Sequence, residues 1–406
     1  MYRRLSLGDR CWLLLGLSSL LSAVACQSGT PPTGVGSTAS STASSTATAS
    51  PRPSAWKVSA SGTLASVASG KQAPNRWPKH WWLNATKVNF EASAMGTTIR
   101  FVAYSTPEMP KARLEQAMKQ AMDRIADLEQ QLSAWRDDSQ VSAINRAGGK
   151  PTVVDANCFA IIQKSQWISE LSDGAFDISF QVMSTQWRFG DAQKQNPTLP
   201  DGKELDRLRQ LIDYRKIQLD HRQRTITLPA DMRIGLGGIA KGYVLDQAAA
   251  VLRAAGIHNF LAQAGGDLLG AGRKPDGSAW VSGIRDPRGA DDSYFATIEL
   301  SDRAFSTAGD YARAFVLDGK RYHHIIDPNT GYPAALSRSV TVWAKTAFEA
   351  DAIDDAVFIL GASRGLELVE SLPGVGAVIV DQDNKVWVSE RLKGLIKIDR
   401  PPTPGL

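Results

Sequence analysis

One stretch constrains the chain more than any other: Arg233-Ile-Gly-Leu-Gly-Gly-Ile-Ala-Lys-Gly-Tyr-Val-Leu-Asp246, with glycines at positions 235, 237, 238 and 242. An alanine-rich helical pattern follows and runs to Gly256. Glycines permit positive φ and close approach of backbone to a neighbour. The start of a helix offers unpaired N–H groups and partial positive charge, which suit an anion. The stretch therefore reads as a strand or loop turning into a helix, with a phosphate-bearing ligand as the anion. It is not a Walker A loop, because Lys241 precedes a glycine and no Ser or Thr follows where one is needed. It does match Gly-x-Gly-x-x-Ala at Gly235, Gly237 and Ala240, but the acid expected about twenty residues later in a dinucleotide fold is missing, with Gln263 nearest. A tight turn without ligand stays open beside the ligand reading.

The rest of the chain is globular in character, with 406 residues, 43% hydrophobic and 21% charged, and a net charge of +5 without a basic block that would suit nucleic acid. Its first residues differ. Arg3, Arg4 and Arg10 precede an apolar run from Cys11 to Leu21, and Ala23-Val-Ala-Cys26 follows. This is the pattern of a secretory signal over residues 1–25, too short to span a bilayer comfortably. Cys26 resembles the lipidated residue of a bacterial lipobox, although Ala23 stands where leucine is usual. Residues 26–54 are then a lipidation site and a Ser/Thr/Ala/Gly/Pro tether, too polar to offset its ordering entropy. Residues 55–87 read as an irregular surface segment, 88–398 as one catalytic unit, and the proline-rich 399–406 as a frayed tail. Only Cys158 remains outside the leader region, in a helical apolar pattern that suits a core position.

Two strands are expected around Met95-Gly-Thr97, a long amphipathic helix from Pro110, and a second helix capped by Asp155 and running to about Leu171. Short strands fill most of 259–345. Helices follow from about Phe348 to Leu360 and from Ser363 to Val369, then a hairpin of Val378–Val380 with Val386–Val388. Strands in runs, with helices grouped between them, give an α+β fold of mostly antiparallel strands with packed helices, built as one body or as two lobes.

Three further clusters carry chemistry. Asp351, Asp354 and Asp355 fall at i, i+3 and i+4 and share one helical face, where they repel unless a cation sits among them. Such oxygen ligands suit Mg²⁺ or Ca²⁺; a solvated acidic first turn is the alternative. Ser306-Thr-Ala-Gly309 precedes His323-His324 and the turn Asp327-Pro-Asn-Thr-Gly331. On a strand the two histidines face opposite sides, so one can face a site while the other is solvated or core-bound. There is no His-x-x-x-His or Cys-x-x-Cys pairing for zinc. Gly265-Gly266-Asp267 offers close backbone approach at a strand end, or merely a bulge.

Taken in order, these segments resemble the ApbE family of FAD:protein FMN transferases. The likeness rests on Met95-Gly-Thr97, Leu132-Ser-Ala-Trp135, Ser142-Ala-Ile-Asn145, Asp173-Gly-Ala-Phe-Asp177, Gly237–Tyr243, Gly265-Gly-Asp267, Ser306–Gly309, His324–Gly331 and Ala350–Asp354. The resemblance implies Mg²⁺-dependent transfer of FMN from FAD to a Thr or Ser of an acceptor protein, with release of AMP. It implies FAD binding by Met95, Trp135, Ala175, Phe176, Asp177, Lys241 and Ile326. It implies metal ligation by the Gly238 carbonyl, Asp351, Asp354 and Asp355. His324 or Asp327 would accept the hydroxyl proton. Two departures stand out: Gly235 where many members have aspartate, and Asp355 where threonine is usual. The acceptor would be an exported subunit of a membrane or periplasmic redox complex, and the enzyme a lipoprotein on the periplasmic side of a bacterial membrane. A Mg²⁺-dependent FAD pyrophosphatase and a non-catalytic flavin-binding lipoprotein are the alternatives.

Overall fold

The computed structural model describes residues 85–405. The signal, Cys26, the tether and 55–84 of the surface segment lie outside the described residues. Among the described residues, no helix is long and apolar enough to cross a membrane.

The centre is an eight-stranded sheet. Its strands, in spatial order, are Lys87–Ala94, Thr97–Tyr104, Phe260–Ala264, Asp267–Ala271, Arg303–Gly309, Ser337–Ala344, Gly376–Asp381 and Val386–Val388. Every neighbouring pair is antiparallel. Side chains alternate between two cores, as a period of two demands. Leu269, Ala304, Val342 and Ile379 face the larger core, and Leu268, Phe305, Trp343 and Val378 face the smaller one.

The larger core is covered by the helices Lys111–Leu132, Ala156–Leu171, Ala240–Ala254 and Ala347–Ser371. The first presents Leu114, Met118, Ala121, Ile125, Leu128 and Leu132 inward at helical spacing. Asp155 caps the second by accepting the N–H of Cys158, whose side chain is fully buried. Burial and Asp155 push the Cys158 thiol up to about 12, so it is a core residue and not a nucleophile. The third helix ends at Gly256 in a left-handed conformation, its N–H bonded to the Arg253 carbonyl. The fourth is broken at Gly361, which lies at φ 71° against Leu336 and so separates the two expected helices.

The smaller core is closed by a three-stranded sheet of Val281–Arg285, Tyr294–Glu299 and Ile396–Ile398. A third cluster of buried residues, with Val182, Trp187, Leu205, Phe315, Tyr322 and Ile326, is separate from both cores. The architecture is therefore α+β with mostly antiparallel strands, as expected.

Three expectations change. Gly265-Gly266 turn between two strand ends, which leaves the close-approach reading and removes the bulge, while Ser306–Gly309 lies within the interior strand Arg303–Gly309. Among the short strands expected over 259–345, the histidine strand is Lys320–His323 and stops before His324, and Ile326 makes only a bridge to Pro333. The C-terminal tail is held in place, because buried Asp286 accepts both the N–H of Thr403, at 3.0 Å, and its hydroxyl, at 2.7 Å. The Pro402 carbonyl in turn accepts from Asn384 Nδ2 at 2.7 Å.

Candidate active site

The glycine loop packs by proximity, not by unusual φ: among its glycines none lies in the left-handed region. A Cβ on Gly242 would stand 2.2 Å from the Ala347 carbonyl oxygen and 2.6 Å from Asp351 Cβ. The helices Ala240–Ala254 and Ala347–Ser371 thus meet where only glycine fits. Each also supplies an acid to the other's N-terminus. Asp351 Oδ2 accepts the N–H of Gly242 at 2.7 Å. Asp246 accepts the N–H groups of Ala347 and Phe348 at 3.1 and 2.9 Å, and burial raises its carboxyl to about 6. The anion at the start of the glycine-loop helix is therefore the protein's own Asp351.

Asp351 has two neighbours of the same charge. Ligand oxygens of Asp267, Asp351 and Asp354 lie within 4.8 Å of one another, and all three residues are buried. Asp351 and Asp354 are 1% and 3% exposed, which removes the solvated-turn reading. Lys241 Nζ lies 3.1 Å from Asp351 Oδ1 and 3.5 Å from Asp267 Oδ2. Ser306 Oγ contacts both Asp267 Oδ1 and Asp354 Oδ2, the latter at 2.6 Å. A hydroxyl has one proton, so one of these two short contacts requires a proton on a carboxyl. Burial, followed by Asp355, Asp351 and Asp267, holds Asp354 well above the carboxylate range. Burial also raises Asp267, against the pull of Lys241, to about 7.

This arrangement fits a divalent cation. The donors are hard oxygens, and Asp267 Oδ2 accepts no hydrogen bond although it is buried. One ammonium, Lys241, faces three carboxylates. Asp355 stands at the edge: its Oδ2 lies 2.6 Å from where a Cβ on Gly238 would be, and burial raises it to about 7. Gly238 thus leaves room for the carboxylate that threonine would replace. Asp267 and Ser306 are the residues that sequence reasoning left out of the site. Both belong to the Gly-Gly-Asp and Ser-Thr-Ala-Gly segments, which the sequence marks as clusters of interest without assigning either side chain a role.

The other expected residues divide. Met95 and Gly96 form the hairpin turn, at φ 52° and 68°, and the Met95 N–H donates to Glu129 at 2.8 Å. A Cβ on Gly96 would stand 3.2 Å from the Arg313 guanidinium, and the Arg313 carbonyl accepts the His324 N–H at 3.1 Å. His324 Nδ1 is buried without a hydrogen-bond partner. Burial, with His323, Arg313 and Lys241 nearby, pushes its imidazole down to about 3. His323 is the core histidine, its Nε2 2.8 Å from the Ala334 carbonyl and its Nδ1 accepting the Ile325 N–H.

Phe176 lies beneath the loop, its ring 3.3 Å from where a Gly238 Cβ would be, beside buried Ala175. The Ile178 carbonyl accepts the Gly235 N–H, and the space beside Gly235 is filled by the Gln181 side chain. Asn145 clasps both backbone groups of Ile234, which ties Ser139–Arg146 to the loop. Trp135, just before that segment, is 80% exposed.

Three expected residues have other employment. Asp177 accepts from the Ser179 N–H and hydroxyl and from the Tyr214 N–H, so its carboxylate caps its own turn. Asp327 does likewise through Asn329, at 2.9 Å from the backbone N–H. Ile326 is buried in the third apolar cluster.

The ApbE family model matches residues 95–379, which include the inner strands of the sheet, the glycine loop and all three aspartates. The chain belongs to the ApbE family. Among relatives named FAD:protein FMN transferase, one of Treponema pallidum is 32% identical over 320 residues, covering 75% of this chain and 87% of the relative. One of Escherichia coli K12 is 30% identical, covering 77% and 90%. Among solved structures, an ApbE protein of Thermotoga maritima matches with a TM-score of 0.68 and 32% identity, over 76% of this chain and 99% of that one. The flavin transferase ApbE of Vibrio cholerae matches at 0.67 and 26% identity, over 77% and 99%.

Proposed function

We propose that this family member is a FAD:protein FMN transferase that works with Mg²⁺ on a Thr or Ser hydroxyl of an exported acceptor protein. The observation that carries the reading is the buried group of Asp267, Asp351 and Asp354 around Lys241, in a chain about a third identical to named transferases over most of its length. Asp351 and Asp354, with Asp267, would hold the ion, and Asp355 and the Gly238 carbonyl stand beside them. Bound there, Mg²⁺ supplies Lewis-acid charge neutralisation on the pyrophosphate.

The chain's own groups do the rest. The ammonium of Lys241 is fixed between Asp351 and Asp267 but 28% exposed, so it can meet a phosphate oxygen without reorganising. Phe176 lies against the loop, and exposed Trp135 offers a ring for stacking. The acceptor oxygen bonds to the FMN phosphorus, the bond from that phosphorus to the bridging oxygen breaks, and AMP leaves with the bridging oxygen. The hydroxyl proton passes to a base. His324 Nδ1 is unpartnered while the Asp327 carboxylate is engaged in its turn, so His324 is the freer acceptor, although burial pushes its imidazole down to about 3 and weakens it as a base in the absence of substrate. The nucleophile comes from the partner, which agrees with buried, inert Cys158.

The enzyme is further proposed to be an exported lipoprotein anchored through Cys26. The full chain, incubated with FAD, Mg²⁺ and candidate exported redox subunits, should yield AMP and an FMN adduct on the acceptor by mass spectrometry. AMP with only free FMN would indicate a pyrophosphatase instead. A Cys26→Ser variant should leave the membrane fraction.

A further inference from the structure

Lys241 lies between Asp351 and Asp267, so its charge is shared with the protein's own carboxylates. A pyrophosphate brings further negative charge to the same place. The strand pair that leads to His324 supplies a second cation, Arg313.

Ala314–Leu317 and Lys320–His323 pair antiparallel, with Ala314 opposite His323. One step beyond that pair, the Arg313 carbonyl accepts the His324 N–H at 3.1 Å, which sets Arg313 opposite His324. Opposite residues of an antiparallel pair direct their side chains to one face, and the next pair directs them to the other. Ala314 and His323 therefore take one face, and Arg313 and His324 the other. The guanidinium reaches the turn at Met95: its Nη2 lies 3.2 Å from where a Cβ on Gly96 would stand, and Gly96 is at φ 68°. Glycine there leaves the guanidinium room beside the turn.

Two observations point to a ligand at this place. Arg313 is exposed, and among the described residues its side chain makes no hydrogen bond, ion pair or ring contact. On the same face, the buried Nδ1 of His324 has no partner either. Buried polar atoms are rarely left so. Lys241 and Arg313 are both close enough to oppose a positive charge on that imidazole, so two cations stand near one unpartnered nitrogen. A guanidinium presents a planar fork that matches two phosphate oxygens, which an ammonium cannot do.

We propose that Arg313 is a substrate-binding residue whose guanidinium takes pyrophosphate oxygens of FAD beside Lys241. The inference rests on the transferase reading and adds to it a phosphate contact that no carboxylate of the protein already holds.

The test is equilibrium binding of FAD and of riboflavin to the full chain without Mg²⁺, followed by flavin fluorescence. Riboflavin has the same ring system and no phosphate. Arg313→Gln should melt as the wild type does, because the side chain it removes has no partner. It should weaken FAD about tenfold or more, the usual effect of losing a hydrogen bond between charged groups, and leave riboflavin unchanged. Arg313→Lys, which keeps the charge without the fork, should fall between the two. A wild type that binds FAD, with Arg313→Gln binding it equally well, would overturn the role of Arg313 and leave the transferase reading standing. Equal losses for FAD and riboflavin would overturn it too, since the residue would then act on the fold and not on phosphate. A wild type that binds no FAD would overturn the transferase reading, and this role with it.

Discussion

Asp351 and Gly242, 109 residues apart in sequence, are joined by a 2.7 Å hydrogen bond from the Gly242 N–H to Asp351 Oδ2. The same carboxylate holds Lys241 on its other oxygen at 3.1 Å. One residue thus caps a helix, fixes a lysine and contributes to a three-carboxylate group. Fold and chemistry meet at this contact.

Gly242→Ala should therefore harm both. The added methyl would overlap the Ala347 carbonyl, which is backbone and cannot rotate away. Alanine's better helix propensity, about 1 kcal/mol, is outweighed by overpacking of about 1–3 kcal/mol and loss of the cap. A lower Tm in thermal unfolding and loss of AMP release are expected. A variant as stable and active as the wild type would show that the two helices have room to part.

Mg²⁺ should stabilise the folded protein. At about 100 times its Kd a ligand contributes roughly 2.7 kcal/mol, a rise of several degrees in Tm. Asp354→Asn should abolish most of that rise while keeping the contact to Ser306. An equal rise in the variant and the wild type would place the ion elsewhere.

His324 gives a pH dependence with a definite sign. Its imidazole is pushed down to about 3 by burial, with His323, Arg313 and Lys241 adding to it. The folded protein resists protonating it, so its contribution is complete above the unfolded value of about 6.5 and is lost as pH falls from there towards 3. Between pH 7 and pH 4 the wild type should lose up to about 3 kcal/mol more stability than His324→Gln, read from denaturant unfolding. Parallel pH curves would contradict this placement of the ring.

Removing 401–406 should cost about 1–3 kcal/mol, because Asp286, fully buried, then loses both bonds to Thr403. Denaturant midpoints of the truncated and full chains provide the comparison. Equal midpoints would mean that water satisfies Asp286 as well as Thr403 does.

Much of this was legible in the sequence where local signals act. Pro110, Asp155 and Gly256 mark helix ends by capping chemistry that needs only near neighbours, and the carboxylate helix shows its face through spacing alone. The interior strands were not legible. Asp267–Ala271 is buried throughout, so no alternation marks it. Arg303–Gly309 is rich in small residues that usually mark turns. Asp267 and Ser306 were hidden with them, since a polar residue inside a buried strand looks like a turn residue until its partners are known. The glycine loop predicted an anion at a helix start. Its identity, a carboxylate from the other side of the sequence, depends on tertiary packing. Asp177 and Asp327 show the converse: the spacings Asp-x-Ser and Asp-x-Asn already contain the turns that occupy their carboxylates.

The most direct test is the Asp351→Asn variant, an isosteric change that keeps an acceptor for the Gly242 N–H and removes the charge facing Lys241 and the ion. FAD, Mg²⁺ and an acceptor flavinylated by the wild-type chain are supplied, and AMP and the protein–FMN adduct are quantified together. A fall of about 100-fold or more in both, in a protein that still folds, is predicted from loss of preorganised charge at the phosphates. Wild-type rates in the variant, or undiminished wild-type transfer when Mg²⁺ is chelated, would contradict a metal-assisted site built on Asp267, Asp351 and Asp354.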